Sequence, residues 1–336
     1  MTFTDVKGVL ASKREKARKV FLALAALLAV SVFVSVLSGP ARINFSEPLN
    51  EITRRILYMR LSRTALAIIA GGGLSVSGVI LQGLLRNPLC EPYVLGISGG
   101  ASVGAVVSIA IGGTWTILGL SVLPLWAFLG AAATFFVVYR IAEVNGRVPI
   151  QNLLLTGVIV GAVLSSIVVF IVSFSEKETL HSVMWWLLGN LQIFDNGLLV
   201  FVALIVAAGS VAAGAFSNEL NAFSLGEEEA VHAGVETERM KKAFFLIASL
   251  ITGACVSAAG MIGFLGLIVP HFMRMVTGHD HKVLIPASFL AGGIFLVLCD
   301  TLARTVMSPS EVPVGVITAV CGAPFFIHML RKKSRL

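Results

Sequence analysis

Ten apolar stretches follow one another along this chain, and they constrain its fold more than any other feature. The first, Val20 to Leu37, contains no charge and only two polar residues, Ser31 and Ser35. Further runs lie near 64–85, 94–112, 117–139, 152–174, 195–216, 243–262, 263–277, 283–303 and 314–330. About 20 apolar residues span a bilayer as a helix, and helices satisfy their own backbone where no water can. The chain therefore reads as an all-α polytopic membrane protein of about ten transmembrane helices, forming one domain over residues 1–336. The run at 263–277 is short and carries Pro270, so a broken or half helix is expected there. Composition agrees. Charged residues make up 13% of the chain, roughly half the share in a soluble domain, and mean hydropathy is +0.92.

Lys and Arg set the orientation. With ten spans and both termini in the cytoplasm, the inside holds eighteen of the twenty-five: six in residues 1–19, Arg86, Arg140, Arg147, Arg239, Lys241, Lys242, Arg274, Lys282, and four in the tail 331–336. Seven stay outside: Arg42, Arg54, Arg55, Arg60, Arg63, Lys177 and Arg304. The net charge of +7 thus reports membrane orientation, not nucleic-acid binding. The first run is too long for a signal-peptide core and reads as a retained helix.

One long stretch cannot live in lipid. Ser217 to Lys242 holds six of the eighteen carboxylates. It reads as two short helices broken at Gly226. Ser217 is expected to cap the first, Glu227 to Glu229 to open the second, and Gly234 to end it. A small polar knob of this kind, on the cytoplasmic side, is a handle for a soluble partner.

Chemistry is sparse. No phosphate-binding loop occurs, and no catalytic arrangement of Ser, Cys or His stands out. The four cysteines are scattered, and His279-Asp280-His281 reads as a turn and helix start rather than a metal site. Asp300 and Arg304, four apart, are expected to pair within one span. No file of acidic residues crosses the membrane, which speaks against a secondary, ion-coupled carrier for a small solute. Ser75-x-x-Gly78 before Pro88 has a faint echo in Ser257-x-x-Gly260 before Pro270.

Several motifs together resemble the FecCD-type permeases, the membrane subunits of ABC importers for iron-siderophores, haem and cobalamin. They are Arg60-Leu-Ser-Arg-Thr with GGGLSVSGVILQGLLRNPLCEPYVLGISGGASVGA (71–105), LGEEEAVHAGV (225–235), GMIGFLGLIVPHFMRMVTGHDHKVLIPAS (260–288), CDTLART (299–305) and EVPVGVITAVCGAPFFIHML (311–330). The resemblance covers about residues 55 to 330. It implies a non-catalytic subunit of the prokaryotic plasma (inner) membrane, paired with an identical chain or a paralogue. Two copies of a separate ATPase would bind ATP and Mg below, and an extracytoplasmic substrate-binding protein would dock above. No cofactor or metal is implied in this chain.

The resemblance also implies roles for particular residues. Leu225, Gly226, Glu227, Glu228, Ala230 and Gly234 would couple to the ATPase. Arg60, Arg63 and Arg304 would receive acidic residues of the binding protein. Asn87 and Leu89 would stand at the cytoplasmic gate. The small hydroxyl residues that the cobalamin branch carries at the start of the fifth span are absent, since this chain reads Pro149-Ile150-Gln151-Asn152. That departure speaks against that gate chemistry here and against cobalamin; iron-siderophore, the most frequent substrate in this family, is the first expectation, followed by haem and cobalamin, with a small oxyanion as a further alternative.

Overall fold

The computed structural model describes residues 3–41, 50–112, 116–117, 120–193 and 195–333. Arg42 and Arg335 lie outside them. The described chain is helical: α1 Phe3–Leu37, α2 Glu51–Leu84, α3 Ile97–Ala110, α4 Val122–Ala142, α5 Ile150–Ser173, α6 Lys177–Leu187, α7 Asn196–Ala215, α8 Ser217–Leu225, α9 Glu227–His232, α10 Thr237–Ala259, α11 Leu265–Thr277, α12 His281–Thr305 and α13 Val314–Lys333. Thr116–Ile117 pairs antiparallel with Leu120–Ser121. Among the described residues seven helices are long and apolar enough to cross a membrane, and the shorter apolar helices α3, α11 and α13 complete the ten runs counted in the sequence.

Three elements differ from the sequence reading. Helix α1 runs back unbroken through the basic segment to Phe3, where a Glu15–Lys19 pair one turn apart supports it. Helix α2 begins at Glu51, well before the apolar run near 64–85, because the Asn50 side chain accepts from Thr53 N–H and caps it. At about 1.5 Å per residue its 34 residues outrun an apolar slab of about 30 Å, so the turn carrying Arg54 and Arg55 extends beyond the span. Helix α6 was not foreseen. Its polar first turn breaks the apolar periodicity, and the sequence gives it no strong cap.

Helix α2 is the central post. Its apolar window is 83% buried, against 11% for α5, which lies at the periphery. Leu66, Val76, Ile80 and Leu81 on α2 are fully enclosed, as are Phe244 and Phe245 on α10. Glycines permit this packing. A Cβ on Gly71 would lie 2.3 Å from Gly292 O, and one on Gly292 would lie 2.3 Å from Gly71 O, so α2 and α12 touch backbone to backbone. Gly100 and Gly130 bring α3 and α4 together in the same way. In lipid, such close approach supplies the packing that drives helices together.

Two stretches outside the α-helices, 85–96 with a single 3-10 turn at Pro92–Leu95 and 260–264, meet inside the bundle. Irregular backbone survives at membrane depth only where protein groups satisfy it. Tyr93 Oη accepts from Ile262 N–H and donates to Ile262 O, both at 2.9 Å, and Glu91 Oε1 accepts from Phe264 N–H at 2.6 Å. Pro270 leaves the Gly266 carbonyl without its helical donor. Gln82 Nε2 donates there instead, at 3.0 Å. The two glycines of the Ser-x-x-Gly echo take different places: Gly78 lies mid-helix in α2, whereas Gly260 ends α10.

Candidate functional site

The knob forms as the sequence suggested, with one correction. Ser217 is the first residue of α8, buried, and makes no side-chain cap. Gly226 separates the helices at φ 154°, ψ 156°, a conformation essentially reserved for glycine. Glu227, Glu228 and Glu229 occupy the first turn of α9. Gly234, at φ 81°, closes a Schellman motif: its N–H donates to Val231 O, and Val235 N–H donates to Ala230 O.

The base of the knob is fixed to two spans, α10 and α12, by three ties. Leu220, Phe223 and Ala230 are buried, with Phe223 edge-on to Phe244 of α10. Asn221 accepts from His281 N–H at 3.0 Å and donates to Asp280 Oδ1 at 3.0 Å, tying α8 to the start of α12. Asp280 also caps α12 through Lys282 N–H, the helix-start role expected of it. Partial burial opposes its charge, but these bonds and the Lys282 ammonium hold its pKa below the ordinary value. The third tie is Lys241, 3% exposed, whose Nζ lies 2.8 Å from Glu227 and 2.5 Å from Glu238. The tip stays open: Leu225 is 76% exposed and Val231 56%.

Asn87 and Leu89 sit together, exposed, in the loop after α2. Asn87 Oδ1 accepts from Leu89 N–H at 3.0 Å and Asn87 O from Cys90 N–H at 3.1 Å, so this turn is held by its own side chain. Arg86 just before it has φ 49°, which tightens the turn.

At the opposite end, Arg60, Arg63 and Arg304 line one pocket, as expected of residues sharing a face. All three are nonetheless buried, and their guanidinium groups turn inward. Arg60 donates to the carbonyls of Val36, Leu37 and Ala41. Arg63 bridges Asp300 and Glu311, each at 2.8 Å. Arg304 Nε lies 3.0 Å from Asp300 Oδ2, close without the alignment of a hydrogen bond, and its Nη2 donates to Ser35 Oγ at 2.9 Å. Asp300 and Arg304 pair as their spacing predicted. The sequence did not reveal that Arg63 shares the same carboxylate. Arg54 and Arg55 are exposed, and their side chains make no ion pair or hydrogen bond among the described residues.

Comparison with known proteins places this arrangement. A sequence model of the FecCD transport family matches residues 27–332. The cobalamin import system permease protein BtuC of Halobacterium salinarum is 43% identical over 82% of this chain and 73% of its own length. The hemin transport system permease protein HmuU of Yersinia pestis is 34% identical over 82% and 83%. The Fe(3+)-citrate import system permease protein YfmD of Bacillus subtilis is 35% identical over 84% and 82%. A solved structure described as a metal-chelate type ABC transporter in an inward-facing conformation superposes with a TM-score of 0.85, at 28% identity, over 94% of this chain and 99% of that one. The chain belongs to the FecCD transport family, whose members are multi-pass, non-catalytic permease subunits of ABC importers.

Proposed function

We propose that this chain forms half of the membrane pathway of a binding-protein-dependent importer that carries a metal chelate into the cytoplasm. The observation that carries this reading is the knob: its base is anchored to α10 and α12, yet its tip exposes Leu225 and Val231. A rigid lever with an apolar, acidic tip suits a soluble motor. ATP and Mg are bound by that separate subunit, present in two copies. The uncovered face of α5, including Val158, Ile159 and Phe170, receives the second permease subunit, identical or paralogous. Asn87 and Leu89 stand at the inner gate. Both termini and the knob face the cytoplasm, in a prokaryotic inner membrane.

The outer end receives the substrate-binding protein. Arg54 and Arg55 offer it accessible charge, whereas Arg60, Arg63 and Arg304 accept a partner carboxylate only by exchanging the internal acceptors they now hold. The relatives are named for cobalamin, hemin and ferric citrate, which supports a metal chelate as the class. A 43% identical relative named for cobalamin also weighs against the doubt raised by Pro149–Asn152.

The test is uptake into proteoliposomes holding this chain, its ATPase and its binding protein, offered ferric citrate, hemin and cobalamin. Accumulation that requires ATP is expected. Accumulation by the permease alone, driven by an ion gradient, would make it a secondary carrier. Reporter fusions at Glu219 and after Arg335 should read cytoplasmic, and one at Asn50 should read outside.

A further inference from the structure

A lysine with 3% of its side chain exposed, at the root of a helix, carries a desolvation cost that its two carboxylate partners must offset. Lys241 lies in the second turn of α10. Its Nζ reaches three separate parts of the chain: Glu227 Oε1 at 2.8 Å on α9, Glu238 Oε1 at 2.5 Å on α10, and the carbonyl of Val148 at 3.4 Å. The other oxygen of Glu238 accepts from Val148 N–H at 3.1 Å, so both polar groups of that one peptide residue are held by the cluster. Val148 is buried and stands two residues before α5.

The loop that carries Val148 is stiff. Asn145 (φ 51°) and Gly146 (φ 76°) form a two-residue turn with positive φ at both centres, closed by reciprocal Val144–Arg147 backbone bonds. A displacement of this loop is therefore passed on to α5 rather than absorbed. The adjacent Lys242 lies over the Tyr139 ring of α4, at 5.6 Å from its centroid, and steadies the same corner.

We propose that Lys241 is the positioning residue that transmits movement of the knob to α5. When α9 shifts, Glu227 draws the Lys241 ammonium, and the Lys241–Glu238 pair draws Val148 and with it the root of α5. Within the chain α5 is peripheral, and its outward face is the one given above to the second subunit, so a shift of its root is passed on to that interface. Asn221, at the other side of the knob, bonds to Asp280 and His281 at the start of α12, whereas Lys241 gives the knob a route to α5. This inference rests on the reading of the chain as an ATP-driven permease.

The test uses the full complex of permease and ATPase and needs no substrate. Cys321 is replaced by Ser, since it is the exposed cysteine among the four, and Arg147→Cys places a thiol on the exposed loop beside Val148. Maleimide labelling of that thiol is timed with and without ATP trapped by vanadate. Trapping should change the rate at least about fivefold with Lys241 present, the low end of ordinary coupling between sites. In Lys241→Gln that change should vanish while ATP hydrolysis and co-purification persist, and Lys241→Arg should restore it in part. Glu227→Gln, at a 43% exposed side chain that does not threaten folding, should diminish it as well.

An undiminished response in both Lys241→Gln and Glu227→Gln would overturn the transmission role. So would a loss of ATPase binding in parallel with the response, which marks a merely structural residue. No response to trapped ATP in the parent would instead overturn the ATP-driven reading itself.

Discussion

The two ends of this bundle hold their charges in opposite ways. At the outer end Asp300 is fully buried and shared by Arg63 and Arg304; Arg63 also reaches Glu311, and Arg304 donates to Ser38 O and Ser35 Oγ. That cluster ties α2, α12 and the end of α1 together. At the inner end one buried cation, Lys241, is met by carboxylates that keep 43% and 37% of their side-chain surface in water. The first arrangement is closed and suits a fixed joint. The second opens to solvent, so its carboxylates can change partners at modest desolvation cost. A dry network rigidifies, and a half-wet one lets an external force be felt.

The comparison breaks most decisively at Asp300. Asp300→Ala leaves the buried Arg304 guanidinium without a carboxylate and Arg63 with Glu311 alone, and about 3–5 kcal/mol of stability should be lost. Thermal unfolding in detergent measures it. Asp300→Asn, which keeps an acceptor, should lose less. An unfolding temperature unchanged in Asp300→Ala would mean that the outer cluster is no joint.

Gly226 comes next. Alanine there must adopt φ 154°, at a cost of about 1–3 kcal/mol. The strain falls on the knob, so the α8–α9 junction should become protease-sensitive and co-purification with the ATPase should drop, while the spans stay folded. Retained co-purification and protection would show that the angle at Gly226 does not matter.

Charge reversal sharpens the contrast within the outer end. Arg54→Glu with Arg55→Glu should weaken stimulation of ATP hydrolysis by the binding protein, most at low salt, and should leave stability within about 0.5 kcal/mol. Arg60→Glu should act on stability first, because it removes donors from three carbonyls at the end of α1. If Arg60→Glu leaves stability intact and abolishes stimulation, the buried arginines are themselves the docking charges.

The smallest effect is expected at Glu228, exposed on α9. Glu228→Lys should leave the unfolding temperature within the scatter of surface substitutions, about 0.5 kcal/mol, and lower ATPase association alone. A large stability loss would mean that Glu228 belongs to the Lys241 cluster.

Much of this was legible along the chain, because lipid allows few solutions. Apolar runs of span length must be helices, and the ten runs carry over as ten apolar helices. Gly226 and Gly234 punctuate the knob by rules that act over a few residues. Asp300 and Arg304 pair because a helix brings residues four apart together. Helix α6 escaped because a short helix without a strong cap leaves little trace in local pattern.

What the sequence by itself determined is therefore the local and the solvent-imposed: the membrane class, the spans, the breaks and the family. The tertiary structure alone decided which distant groups share a charge. Nothing in residue order indicates that Arg63 would reach Asp300, 237 positions away, or that Lys241 would be enclosed by Glu227 and Val148. The Glu238–Lys241 spacing along α10 was the one hint of that cluster. Spacing fixes neighbours only within a helix. Contacts between helices depend on which glycines let two backbones meet, and that choice settles whether an arginine ends in water or beside a buried carboxylate.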